Sequence, residues 1–212
     1  MVTLLGDSFS AGNGAGDYYD MKPVKSYRSH NNWAHHYVES LRDRGIATVF
    51  HNLAFSGATT TEVSQRQIGN VPIDSDLIAF SIGGNDNNSF GNIAIDCFVS
   101  ATQNPWNCKK SIEAAEAFVQ SGQLRANTEK LLNQLEAHLP DKHAQIVLMG
   151  YPHLSIDDPD FLLSRCVKWD SETSTCKEYY SYPTASRVRD VVDKLAAVQE
   201  QLVREWNANN DG

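Results

Sequence analysis

The chain has 212 residues, a formal charge of −8 and a pI near 5.3, with 41% hydrophobic and 21% charged residues. That size fits one domain with one core, and the acidic balance gives no field that gathers polyphosphate, so nucleic acid is excluded as an expected partner. The composition is globular, and apolar runs such as Leu77–Phe80 are far too short to span a bilayer.

Val2 to Leu5 is an apolar run ended by Gly6-Asp7-Ser8, the pattern of a buried strand feeding a loop. Loop chemistry continues to about Ser29. Asn31-Asn32 opens a helix in which Trp33, Tyr37, Val38 and Leu41 recur until Gly45. Ala47 to Phe55 is the second strand and ends in Ser56-Gly57-Ala58, and Thr59 to Gln67 reads as a short helix opened by threonine caps. Asp76 to Ile82 is the third strand, stopped by Gly83-Gly84-Asn85-Asp86.

A loop holding Cys97 and Cys108 follows, then helices over Ser111 to Gln120 and Leu124 to His138. In the second of these Leu124, Leu131, Leu132 and Leu135 share one side with Leu139, and Pro140 closes it. Gln145 to Gly150 is the fourth strand, Tyr151 to Tyr182 a loop holding Cys166 and Cys176, and Thr184 to Asn207 a long helix marked by Val188, Val191, Val192, Leu195, Val198 and Leu202. Strands that alternate with helices, with no hairpin signal between them, predict a parallel sheet in a three-layer α/β/α sandwich. Ligands of such sheets bind beyond the carboxyl ends of the strands.

The four cysteines fall into two local pairs, Cys97 with Cys108 and Cys166 with Cys176. Two disulfides are expected; the alternatives are reduced thiols or a metal site, but no Cys-x-x-Cys spacing or neighbouring histidine pair supports zinc. Disulfides point to an oxidising compartment, and so to a secreted or extracellular protein. Met1-Val2-Thr3-Leu4-Leu5 enters a strand at once, so the expectation is that a leader has been removed or that the chain is a piece of something longer.

Three of the four strand ends carry glycine with a polar partner. Ser8, after Gly6-Asp7, stands where a strand-to-loop turn exposes a nucleophile; Gly57 supplies an unobstructed backbone N–H and Asn85 a side-chain amide, the donors an oxyanion needs. Each alone also fits an ordinary turn or cap. Their joint occurrence at successive strand ends is the signal, and it predicts that Ser8, Gly57 and Asn85 converge on one point.

Gly6-Asp7-Ser8-Phe9-Ser10-Ala11-Gly12-Asn13-Gly14 resembles the first block of the SGNH, or GDSL, hydrolases, Asn52-Leu53-Ala54-Phe55-Ser56-Gly57-Ala58-Thr59 the second, and Ser81-Ile82-Gly83-Gly84-Asn85-Asp86 the third. The likeness covers essentially the whole chain, and its long loops and paired cysteines are most similar to the secreted actinobacterial lipases and esterases. It implies a flavodoxin-like esterase fold in one domain, with Ser8 as nucleophile and the Ser8 amide, the Gly57 amide and the Asn85 side chain as oxyanion hole. It implies no cofactor and no metal, and a small-molecule, lipid or polysaccharide ester as substrate.

The family's last block, Asp-x-x-His after a fifth strand, has no counterpart here. The expectation is that the last strand and the acid-base pair lie in a further segment, leaving this form weakly active or inactive, with the fourth strand's edge open to another chain. Of the seven histidines, which include His143, His35, His36, His51 and His138 read as solvated or structural, and His30 and His153 lie in loops. His153, after Gly150-Tyr151-Pro152, is the candidate surrogate base, with only Asp157 or Asp158 to orient it. Asp7 and Asp86 are read as caps of loop amides, not as paired catalytic carboxylates. Tyr18, Tyr19 and Trp106 line either an acyl pocket or small satellite cores. The rival reading is a carbohydrate- or acyl-binding module on an esterase scaffold, which Ser8→Ala separates from an enzyme.

Overall fold

The computed structural model describes residues 1–20, 26–99, 101–139, 144–153 and 160–210. In chain order the elements are β1 (Val2–Gly6), α1 (Ser8–Ala11), β2 (Tyr18–Asp20), β3 (Arg28–Ser29), α2 (Trp33–Asp43), β4 (Phe50–Asn52), α3 (Thr60–Arg66) and β5 (Leu77–Ser81). They continue with α4 (Ser89–Ile93), α5 (Pro105–Gln120), α6 (Gln123–His138), β6 (Gln145–Leu148), β7 (Leu163–Asp170), β8 (Thr175–Tyr182) and α7 (Thr184–Asn210). The chain divides into two compact units: Met1–Asp86 with Leu124–Tyr151 and Gln199–Gly212, and Asn87–Gln123 with Pro152–Val198.

The first unit carries a four-stranded parallel sheet in the order β4-β1-β5-β6. β1 is central and wholly buried, as its unbroken apolar run requires. Its alternating side chains reach two cores. Leu5 packs with Ile78, Phe80, the α3 residue Val63, the α6 leucines 131, 132 and 135, and Leu202 of α7. Leu4 packs with Ala79, Ala11 of α1 and Ala34 of α2. Helices therefore cover both faces of this sheet, giving the three layers that the strand-helix alternation predicts.

The helix starts follow their caps. The Asn32 side chain accepts from the His35 amide at 2.8 Å to open α2, and Thr59 with Glu62 closes a capping box on α3. The second strand is shorter than expected, three residues instead of Ala47 to Phe55. The pairing itself reaches further: the Val2 amide donates to Val49, Leu53 to Leu4 and Phe55 to Gly6, so the extended run follows β1 to the site.

The second unit corrects two loop assignments. Cys97 and Cys108 are not in irregular loop: Cys97 lies within a wide helical turn, Ala94–Phe98, and Cys108 lies within α5, which starts at Pro105. Asn104 caps that helix by accepting from the Trp106 and Asn107 amides, and proline at the first position completes the start signal. The segment expected as loop between Tyr151 and Tyr182 contains an antiparallel hairpin, β7 with β8, so the absence of hairpins was a wrong expectation. A second small antiparallel pair, β2 with β3, sits in the first unit.

Both expected disulfides are present, Cys97–Cys108 and Cys166–Cys176. The first is buried among Ile93, Ile112, Leu163, Tyr182 and Val188; the second staples the hairpin. Among the described residues, no helix is long and apolar enough to cross a membrane. Pro140, His143, Asp157 and Asp158 lie outside the described residues.

Candidate active site

The first block turns where β1 ends. Gly6 has φ of +112°, and a Cβ there would lie 2.3 Å from the Ser81 carbonyl oxygen, so only glycine lets β1 and β5 close together at this point. Gln67 grips it from both sides, its side-chain oxygen accepting from the Gly6 amide at 2.8 Å and its amide donating to the Gly6 carbonyl at 2.9 Å. Asp7 then caps α1: its carboxylate accepts from the Phe9 amide at 3.1 Å and from the Ser81 hydroxyl at 3.2 Å. Ser8, half-buried, is the first residue of that short helix.

Asp7 is 1% exposed, and burial raises its carboxyl to about 6 against the pull of the hydrogen bonds from Tyr151, Phe9 and Ser81. Behind it, Ser10 accepts from the Ser81 amide at 3.0 Å and shares a hydroxyl hydrogen bond with Ser81 at 2.8 Å.

The second block is held by its neighbours on the chain's first loop. The Arg28 guanidinium donates to the Ala54 carbonyl at 2.8 Å and the Leu53 carbonyl at 3.2 Å while pairing with Asp20 at 2.6 Å. The Ser56 amide donates to Ser26, and its hydroxyl accepts from Asn13 of the first block at 3.1 Å. Gly57 follows at φ +83°, solvent-exposed, with no atom near where a side chain would point.

Asn85 of the third block donates one side-chain amide hydrogen to the Ala58 carbonyl at 3.1 Å, which seats it beside Gly57. Asp86 reaches the same element, accepting from the Thr60 amide at 2.8 Å and hydroxyl at 2.6 Å and from Asn127 at 2.8 Å. Both aspartates thus bind loop and helix-start amides, as their sequence contexts suggest. The first block touches the second through Asn13–Ser56, the second touches the third through Ala58–Asn85, and the Asp7 amide donates to Ser81 at the head of the third. All three blocks belong to the first unit.

Sequence reasoning missed two residues of this assembly. Gln67 gave no signal beyond ending a predicted helix. Tyr151 stood at the start of a segment expected as loop: its hydroxyl donates to the Asp7 carboxylate and accepts from the Gly84 amide at 3.1 Å. Burial, reinforced by the Asp7 charge, pushes this phenol well above its ordinary value.

Among the described residues, His30, His35, His138 and His153 have partners of their own. His30 lies between Tyr19 and His35, tilted against the first and edge-on to the second, with ring centroids 4.4 and 5.3 Å apart, and burial lowers the His35 imidazole. His138 hydrogen-bonds the Val71 carbonyl at 2.8 Å. His153, in the second unit, pairs with Asp193 of α7 at 2.6 Å, so its carboxylate partner is one that sequence order did not suggest. Trp106, itself exposed, stacks flat on Tyr180 within the second unit at 4.9 Å, a pair outside the buried cores, whereas Tyr18 and Tyr19 bind Gly14 and Asn52 in the first. Among the described residues, no three His, Cys, Asp or Glu side chains cluster as metal ligands would.

The sequence model of the GDSL-like Lipase/Acylhydrolase family matches residues 4–209. A lipase of Streptomyces rimosus is 32% identical over 148 residues, 70% of this chain and 51% of that protein. Lipase 1 of Streptomyces coelicolor is 33% identical over 151 residues, with the same coverage of 70% and 51%. The chain spans about half the length of these curated relatives. Among solved structures, phospholipase A1 from Streptomyces albidoflavus NA297 shares the fold at a TM-score of 0.72 and 24% identity, covering 96% of this chain and 75% of that one. The extracellular lipase of Streptomyces rimosus aligns at a TM-score of 0.71 and 26% identity, covering 96% and 76%.

Proposed function

The chain belongs to the GDSL-like lipase/acylhydrolase family, and from that premise we propose that it hydrolyses carboxylic esters by acyl transfer through Ser8. The Ser8 oxygen attacks the ester carbonyl carbon, and its proton passes to a general base. The carbonyl oxygen becomes an oxyanion that accepts hydrogen bonds from the Ser8 amide, the Gly57 amide and the Asn85 side chain. The alcohol departs with the proton and leaves an acyl-serine. Water then attacks the acyl carbon, the base takes the water's proton, and the carboxylic acid departs as Ser8 regains its hydrogen.

The observation that carries this reading is the Asn85–Ala58 hydrogen bond. An amide NH2 has two donors; engaging one fixes the plane of the group and leaves the second for a ligand next to the Gly57 turn. Gly57 is solvent-exposed at positive φ with nothing within 4 Å of where a side chain would stand, so a ligand can approach the backbone at this turn.

The proton acceptor, in this proposal, comes from an Asp-x-x-His segment outside these 212 residues. In the first unit, His30 and His35 pack against aromatic rings, His35 also lies 3.7 Å from the Glu39 carboxylate on its own helix, and His138 hydrogen-bonds a backbone carbonyl. Two disulfides and a relative described as an extracellular lipase support a site of action outside the cell. Steady-state hydrolysis of short p-nitrophenyl esters by the full-length gene product, with Ser8→Ala beside it, tests the assignment. Serine-dependent turnover is expected; equal turnover by both proteins rejects Ser8.

A further inference from the structure

Tyr151 lies 144 residues from Asp7 in the chain and 67 from Gly84, yet its single oxygen meets both. The phenol donates its proton to the carboxylate of Asp7, the residue immediately before the nucleophile. Its lone pair receives the amide of Gly84, the residue immediately before Asn85. The ring itself packs near Phe9, with centroids 6.0 Å apart, so the aromatic body and the hydroxyl have separable roles. We propose that Tyr151 is a positioning residue for the ester chemistry, its hydroxyl joining the Ser8 turn to the Asn85 loop so that nucleophile and oxyanion donor keep one spacing. This rests on the roles given above to Ser8 and Asn85.

The chemistry favours a tyrosine at this point. A buried carboxylate needs donors, and a buried backbone amide needs an acceptor; a hydroxyl does both with one atom. Phenylalanine would preserve the packing while leaving the Gly84 amide and one Asp7 oxygen without this partner. The charged groups facing the phenol are Asp7 and, further away, Asp86, while Asp7 itself meets the neutral Phe9 amide and Ser81 hydroxyl. Since the Tyr151 hydrogen bond favours the ionised form of Asp7, its loss moves the Asp7 titration to higher pH.

The test uses the full-length gene product in wild-type, Tyr151→Phe and Ser8→Ala forms. For Tyr151→Phe the expected result is a fall in kcat for a p-nitrophenyl ester of roughly 10- to 100-fold, the scale on which slight misplacement acts, with KM changed less than about twofold as for a loss felt in the transition state. The 13C resonance of the Asp7 carboxyl is expected to titrate at higher pH than in wild type. Site-specific 3,5-difluorotyrosine at position 151, which keeps the shape and strengthens the donor, is expected to retain kcat and move the Asp7 titration down; it decides the matter if Tyr151→Phe does not fold. Unchanged kcat in Tyr151→Phe, or an Asp7 titration that moves in neither variant, overturns the inference while Ser8-dependent turnover stands. Turnover that survives Ser8→Ala overturns the functional reading itself and the inference with it.

Discussion

One amide hydrogen of Asn85 is committed to the Ala58 carbonyl, and this fixes where the other points. If that second hydrogen serves the oxyanion, Asn85→Ala lowers kcat of the full-length enzyme by about 10²- to 10³-fold with KM nearly unchanged. Steady-state kinetics on a p-nitrophenyl ester read this directly, and a kcat within twofold of wild type removes Asn85 from the mechanism. Asp7 makes a second residue-level prediction. Its carboxyl holds a proton more tightly folded, at about 6, than at the ordinary 3.8. The native state is therefore favoured at low pH and loses that advantage as pH rises from 3.8 through about 6, by roughly 3 kcal/mol in all. Urea unfolding at pH 4.5 and 7.5 should show about 2 kcal/mol of this loss in wild type and none in Asp7→Asn; parallel pH dependence in the two proteins rules out Asp7 as its source. The three blocks that hold Ser8, Gly57 and Asn85 were legible because each is a short run at a strand end. Gln67 and Tyr151 were not, because a single glutamine or tyrosine leaves no local pattern and its partners are distant in sequence.

Elements buried on a face announced themselves, and exposed ones did not. β1 and β5 are apolar runs, and the leucines of α6 repeat at helical spacing, so all were placed within a residue or two. β7 and β8 were read as loop because solvent reaches most of their side chains: Trp169 and Tyr179 are each 62% exposed, and Lys168 pairs across from Glu178. No alternation of apolar and polar residues marks such a ribbon. The cysteines were the usable signal, since a bridge between Cys166 and Cys176 suits two adjacent strands. Replacing that pair by serine releases a loop of about ten residues and should lower the stability of the second unit by roughly 3 kcal/mol. Thermal unfolding of the double serine variant without reductant tests this, and a midpoint equal to wild type denies the hairpin a stabilising staple. At α5 the signal was present in Asn104-Pro105 and was passed over in favour of the apolar run that starts later.

At the scale of the whole molecule, the order β4-β1-β5-β6 brings the ends of β1, β4 and β5 side by side, which is how blocks up to some seventy residues apart come into contact. The strand-helix alternation disclosed that layering; the division into two units was not visible, because no linker-like composition separates them. β6 stands at the sheet edge, with no strand on its outer side among the described residues. In the proposed account the segment carrying Asp-x-x-His brings the base, while these 212 residues bring nucleophile and oxyanion donors. The most direct measurement compares p-nitrophenyl butyrate hydrolysis by this chain, by a chain carried through an Asp-x-x-His segment, and by Ser8→Ala versions of both. The account predicts that the longer chain exceeds the shorter by about 10³-fold or more and that Ser8→Ala abolishes the gain. Equal, serine-dependent turnover by both lengths, or turnover indifferent to Ser8, contradicts it.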